Sequence, residues 1–190
     1  LGYNFWSACA FGGCSSLATI VISNSLTRID DMIFRDCISL TKVVIPNSVS
    51  SIGWGAFEGC SNLISIVIPN SVGNIDDYAF AHCGNLANVI ISEGVTNIGE
   101  CAFLNCQGFY DIKLPNSVTS MEYGAFWNCY WLKTINIPAN VTSIGSYAFN
   151  YCDNFESIFS EIPAEKLSPV AEDAFDGVSW VTLYVPVGAK

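Results

Sequence analysis

Nine cysteines and one histidine are the residues of this 190-residue chain best equipped for chemistry. A thiol beside an imidazole is the pairing from which a cysteine nucleophile is made, and His82 directly precedes Cys83. Two carboxylate pairs, Asp30-Asp31 and Asp76-Asp77, have the residue types for acid–base work or for holding calcium. Spacing argues against each. Cys14, Cys37, Cys60, Cys83, Cys106, Cys129 and Cys152 follow one another at a constant period of twenty-three. Thiols in such a series share one direction, and a dyad with His82 would require one of them to turn outward against its inward register. No C-x-x-C pair occurs, and a line of thiols does not make a tetrahedral metal site. A disulfide framework fits poorly too, because the count is odd and parallel Cβ directions oppose the ~90° torsion of the bond. Cys9 and Cys101 share another register but lie four periods apart, ~19 Å at strand spacing, too far to pair. The remaining role is packing, since cysteine is a small apolar residue with a weak donor. Unpaired thiols on an exported protein would imply an anoxic habitat or deep burial. The acid pairs read as helix-start caps and solvation. With no phosphate-binding glycine loop, H-E-x-x-H or nucleophile elbow in the sequence, the expectation is a non-catalytic protein without metal or cofactor.

The elements that position these residues are repeats. Phenylalanine recurs at Phe11, Phe34, Phe57, Phe80, Phe103, Phe126 and Phe149, always at the same period, and each cysteine follows three residues later. Leu17, Leu40, Leu63, Leu86, Phe109, Leu132 and Phe155 come three further on, then pairs such as Val43/Ile45 and Ile66/Ile68. The segment L-x-x-I-x-I alternates and is β-branched, which predicts a strand with one buried face. Pro46, Pro69, Pro115 and Pro138 end it, having no N–H for a ladder. Asn-Ser supplies turn chemistry at Asn47-Ser48, Asn70-Ser71 and Asn116-Ser117. Val49-x-x-Ile52 and its equivalents form a second, weaker extended stretch. The Ala-Phe-x-x-Cys piece has apolar residues at helical spacing and predicts a turn or two of α- or 3₁₀-helix.

Four residues before each phenylalanine stand Ser7, Asp30, Gly53, Asp76, Gly99, Glu122 and Gly145. Most are favoured N-caps, Glu122 excepted. An acid on every second turn would also keep carboxylates ~10 Å apart, near one Debye length. One turn cannot bury its own inward face, so stacking makes the core. The expected architecture is α/β: one parallel sheet of about seven to eight short strands, with short helical or 3₁₀ turns opposite, on the order of 35 Å long at strand spacing. Residues 1–190 read as a single solenoid. Residues 1–13 are a partial first repeat, 14–152 are regular, and 153–190 are irregular repeats and a cap. Tyr3 and Trp6 fall in register with Val49 and Ile52, as if a strand were missing before them, which predicts a longer natural protein. At the other end Phe175 stands three positions beyond the place that the period from Phe149 assigns, and Trp180-x-x-Leu183-x-Val185-Pro186 reads as a closing strand.

Seventeen acids face seven bases, a net charge of −10. Phosphate backbones and anionic lipid would be repelled. No apolar run approaches the roughly 18 residues of a membrane span.

The motif Ala56-Phe57-x-x-Cys60-x-x-Leu63-x-x-Ile66-x-Ile68-Pro69-x-Ser71-Val72 resembles the BspA-like leucine-rich repeats of microbial surface proteins. The resemblance covers nearly the whole chain, and Leu183-Tyr184-Val185-Pro186-Val187-Gly188 is similar to the family's final strand. Ser92 in place of proline, and Phe109 and Phe155 in place of leucine, are the departures. The resemblance implies a right-handed solenoid, an extracellular or cell-surface location, adhesion to host proteins or other cells, and no catalytic residues.

Two surfaces are candidates for binding. The outward column between the two inward strand residues reads Val21, Val44, Val67, Ile90, Lys113, Asn136, Phe159, four β-branched residues in succession. An exposed apolar stripe of this kind marks interaction sites, although strand propensity alone would also select it. The column Thr19, Lys42, Ser65, Asn88, Asp111, Thr134, Ser157 gives it a polar border. The second candidate is aromatic: Tyr123, Trp127, Tyr130 and Trp131 around one expected helix, with Tyr110 nearby. Outward Trp and Tyr are favoured in recognition and stack on sugar rings. The leading expectation is a protein-binding or adhesive module with a protein ligand on a host or another cell. A structural spacer in a longer surface protein and a glycan-binding module are the alternatives.

Overall fold

The computed structural model describes residues 9–163, 170–178 and 181–185. Tyr3, Trp6, Ser7, Trp180 and the Pro186–Gly188 end of the closing segment lie outside them.

Each period forms one coil with three sides. The strands Thr19–Val21, Lys42–Val44, Ser65–Ile68 and Asn88–Ile91 make a four-stranded parallel sheet on the first side. Asp111–Lys113, Thr134–Ile137, Ser157–Ser160 and Thr182–Tyr184 make a second on the same side. Register follows the period: Ile66 pairs with Val89, and Val67 with Ile90. Alternation then buries Ile66 and Ile68 while Val67 faces out. The ladder is interrupted between Asn88–Ile91 and Asp111–Lys113, at the coil where Gly108-Phe109 replaces the Asn-Leu of the coils before it. The closing strand keeps the pattern, with Leu183 opposite Ile158.

The second side corrects the expectation of a single sheet. Two-residue strands from Arg28–Ile29 to Ser143–Ile144 form a six-stranded parallel sheet of their own. Ile29, Ile52, Ile75, Ile98, Met121 and Ile144 bury their side chains behind it.

The third side corrects the expectation of helices, for none occurs among the described residues. In the coil 53–60, Ala56, Glu58 and Cys60 donate their N–H three residues back, at 3.1–3.2 Å. The alternate N–H groups of Gly55, Phe57 and Gly59 donate instead to the carbonyls of Asp77, Ala79 and Ala81 on the next coil, at 2.8–2.9 Å. A helix directs all its N–H groups along its own axis. Here two positions per coil are left-handed, such as Tyr78 and His82 (φ 57° and 61°), and Tyr147 and Tyr151 (φ 56° and 57°). These residues reverse the backbone twice, so half the donors point to the neighbouring coil. The Ala-Phe-x-x-Cys spacing imitates a helix because Ala, Phe and Cys all point inward from a tight bend. The acid–glycine alternation has no helix to cap, and its cause is steric. A Cβ on Gly99 would lie 2.7 Å from the backbone of Asp76 and Asp77, and one on Gly145 equally close to Glu122 and Tyr123. It is the acids one residue later that bond across coils: Asp31 and Asp77 accept the backbone N–H of Trp54 and Glu100, at 3.1 and 2.7 Å.

Phenylalanine rings fill the axis. From Phe11 to Phe149 consecutive centroids lie 5.3–5.7 Å apart, and Phe175 continues the stack at 4.9 Å despite its longer spacing. Beside them each thiol of the column from Cys37 to Cys152 donates to the carbonyl of the phenylalanine one coil back, as Cys60 to Phe34, Cys83 to Phe57 and Cys106 to Phe80, all at 3.1–3.2 Å. The carbonyls of Phe34, Phe57 and Phe80 also accept the backbone N–H of the cysteine three residues on, at 3.2–3.3 Å, so a small apolar side chain with one weak donor fits this slot and adds a second bond.

Candidate functional site

The thiols are placed for structure. Every cysteine is free. Burial pushes the Cys60 thiol up to about 12 and raises Cys83, Cys106 and Cys129 as well. These groups stay protonated near neutrality and do not act as nucleophiles. Cys83 turns inward to Phe57, whereas His82 Nδ1 faces out, 3.0 Å from the Asn105 amide nitrogen. The adjacent pair is therefore divided between core and surface.

The apolar stripe is brought together as expected. Val21, Val44, Val67 and Ile90 lie on successive coils, 51–96 % exposed. They form one flank of a shallow furrow that runs along the solenoid axis. Its other flank is the turn column Asn24, Asn47, Asn70, Glu93. Glu93 holds this wall in place by accepting the N–H groups of Asn116 and Ser117, at 3.1 and 3.0 Å. The furrow offers aliphatic surface with an amide rim. It ends at Lys113, which is exposed in the same column. Beyond it Asn136 donates to Glu161 at 3.2 Å, and Phe159 stacks on Tyr184 at 4.7 Å.

The aromatic candidate divides in two. Tyr123 meets Trp127 edge-on at 5.9 Å, and Tyr147 from the next coil closes this trio at 5.7 and 6.0 Å. Trp131 meets Tyr130 at 5.1 Å and reaches back to Tyr110 at 6.4 Å. No aromatic contact joins the two trios among the described residues. The single cluster around a helix is therefore replaced by two patches, each built across neighbouring coils. Lys133, in the coil after Tyr110, binds Glu156 at 2.5 Å, and that hydrogen bond raises the ammonium above its usual range.

Sequence reasoning missed Tyr78, Glu100, Tyr147 and Tyr151. Tyr78 donates its phenol to Glu100 Oε1 at 3.2 Å. Burial, with Cys101 and Glu100 beside it, raises that phenol above its usual range, so it remains a donor. Their signal lay in column neighbours about one period away and not in chain neighbours.

The same inward columns decide the chain's family. The BspA type leucine rich repeat region matches in six copies, over residues 6–92 and 73–189. The chain belongs to this family. No curated protein matches it. Among solved structures, a leucine rich cell surface protein of Faecalibacterium prausnitzii A2-165 is 37 % identical with a TM-score of 0.71, over 77 % of this chain and 40 % of its own. A leucine rich repeat protein of T. pallidum is 30 % identical with a TM-score of 0.71, over 74 % of this chain and 68 % of its own. A third, from Bacteroides ovatus, shares the fold at 23 % identity and a TM-score of 0.63, over 91 % of this chain and 55 % of its own. This BspA-type chain thus spans less than half the length of the F. prausnitzii protein. No helix among its described residues is long and apolar enough to cross a membrane.

Proposed function

We propose that this chain is a non-catalytic protein-binding module of a microbial surface or secreted protein, and that the furrow beside Val21, Val44, Val67 and Ile90 is where an adhesive partner docks. The observation that carries the reading is this stripe. Four β-branched side chains stay outside on consecutive coils, whereas the same strand position further on takes Lys113, Asn136, Phe159 and Tyr184, the last two stacked on each other. Strand propensity would act on every coil alike. An unbroken aliphatic run on four successive coils beside a furrow points to a use for apolar surface there. The F. prausnitzii relative is a cell surface protein, which supports the same location for this chain.

The partner is a protein segment that lays apolar side chains along the furrow and meets the amide rim with backbone groups. Covering what remains exposed of each Val or Ile contributes about 1 kcal/mol. Beads coated with the chain test this against immobilised extracellular proteins and whole cells, beside a Val44→Ser/Val67→Ser/Ile90→Ser variant of equal melting temperature. The variant is expected to lose at least about tenfold in adhesion. Equal adhesion would refute the furrow, and no adhesion by either protein would favour a structural spacer.

A further inference from the structure

The third side of the solenoid carries a different surface. The column Tyr78, Cys101, Gly124, Tyr147 is left-handed throughout, with φ of 52–60°, so each side chain leaves the coil in the same direction. Two tyrosines three coils apart therefore bracket a cysteine and a glycine, which leaves a notch. A Cβ on Gly124 would sit 3.1 Å from Cys101 Sγ and 3.2 Å from the Trp127 ring. The glycine is what lets the indole fold down over the coil. The resulting depression is walled by Tyr78, Tyr123, Trp127 and Tyr151, over Cys101 and Leu104.

One carboxylate, that of Glu100, touches this aromatic wall through the Tyr78 phenol, and a second, that of Asp77, is bonded to the Glu100 backbone N–H. Asp76 and Glu122 are the chain neighbours of Asp77 and Tyr123. None of the ion pairs among the described residues involves these four acids. Arg28 and Arg35 pair with Asp30, Asp31, Asp36 and Glu58 on earlier coils, and Lys133 pairs with Glu156. Lys42 and Lys113 belong to the strand side.

We propose that this notch is a docking site for an arginine- or lysine-rich segment of a partner protein. Aromatic faces attract a cation through their quadrupole, most strongly when partly desolvated. The Glu100 carboxylate on Tyr78, with Asp77 one coil away, adds charge-assisted hydrogen bonds, for which guanidinium has the matching fork. Acids on successive coils, ~4.8 Å apart, suit an extended basic segment running along the axis. The site is independent of the strand-side furrow and uses opposite chemistry.

A fluorescently labelled octa-arginine peptide tests the proposal by anisotropy, with the whole chain, at low and moderate salt. Binding is expected, with affinity falling as salt rises. Glu100→Gln and Trp127→Leu should each weaken it about tenfold. Asp111→Asn, which removes one charge from the strand side, should change it less than about twofold, as should Val67→Ser. Circular dichroism and melting temperature accompany each variant. If Trp127→Leu proves destabilised, the comparison of Glu100→Gln with Asp111→Asn decides alone. Equal losses in that pair would overturn the proposal, because net charge alone would then explain the binding. Absence of binding at millimolar peptide would overturn it. So would a neutral hexasaccharide that binds through Trp127 where the peptide does not.

Discussion

Two columns run side by side along the third face. One is phenylalanine on every coil from Phe11 to Phe149, then Phe175. The other, two residues later, reads Gly13, Asp36, Gly59, His82, Asn105, Asn128, Tyr151. The second column has the stricter backbone requirement, since all its members are left-handed. Yet it accepts glycine, acid, amide, imidazole and phenol, while the first accepts one residue type. Repetition is therefore enforced by what lies above and below a side chain. A ring in the stack has a ring on either side of it, and packing at interior density leaves no freedom of size. An outward side chain meets water and is free to vary, at a cost of about 1–2 kcal/mol for a non-glycine left-handed residue. Binding chemistry accumulates in the free columns and stability in the filled ones.

Alkaline pH should separate the two columns most. Burial raises the folded pKa values of the Cys37, Cys60, Cys83, Cys106 and Cys129 thiols, to about 12 for Cys60, against an ordinary value of 9.0. A raised acid pKa means that stability is complete below about 9 and falls as pH climbs towards 12. Each fully buried thiol contributes a slope approaching ~1.4 kcal/mol per pH unit. Denaturant midpoints measured from pH 8 to 11 should drop steeply, and the slope should become shallower in a Cys83→Ala/Cys106→Ala variant. A flat profile would mean that the thiols are accessible. Next in size, Phe103→Ala should cost about 3–5 kcal/mol in urea unfolding, because its neighbours Phe80 and Phe126 cannot close the gap without moving a coil. Gly94→Ala should cost roughly 2–3 kcal/mol. Gly94 is also left-handed (φ 125°), but there a Cβ would strike the Asn70 carbonyl, so the surroundings again decide. Smallest is His82→Gly, within about 0.5 kcal/mol of neutral, because relief of the left-handed backbone offsets the extra freedom of the unfolded glycine. A loss above ~2 kcal/mol there would remove the distinction between the columns.

The filled columns were legible in the sequence because burial writes them there repeatedly. Phe57, Cys60, Leu63, Ile66 and Ile68 stand where the period places them. The exposed stripe was legible for the same reason, by alternation from its inward neighbours. The third face was not. Its left-handed residues include Met32, Tyr78 and Tyr147, which carry no glycine or asparagine signature, and Ala-Phe-x-x-Cys fits a helix equally well on paper. The aromatic patches were misjudged because Trp127 and Trp131 are close in the chain, whereas the contacts of Trp127 with Tyr147 and of Trp131 with Tyr110 cross between coils. In a solenoid the residue one period away is the nearer neighbour, and the tyrosine–carboxylate notch becomes visible only in that frame.

The coils are bonded to one another on all three sides, and every column described above depends on it. Amide hydrogen exchange at Phe57, Phe80, Phe103 and Phe126 reads this directly, because each N–H lies 2.8 Å from a carbonyl of the next coil. Protection there should equal that of the central strand residues Ile66 and Ile135. Exchange at the rate of an open loop, with the strands still protected, would contradict it.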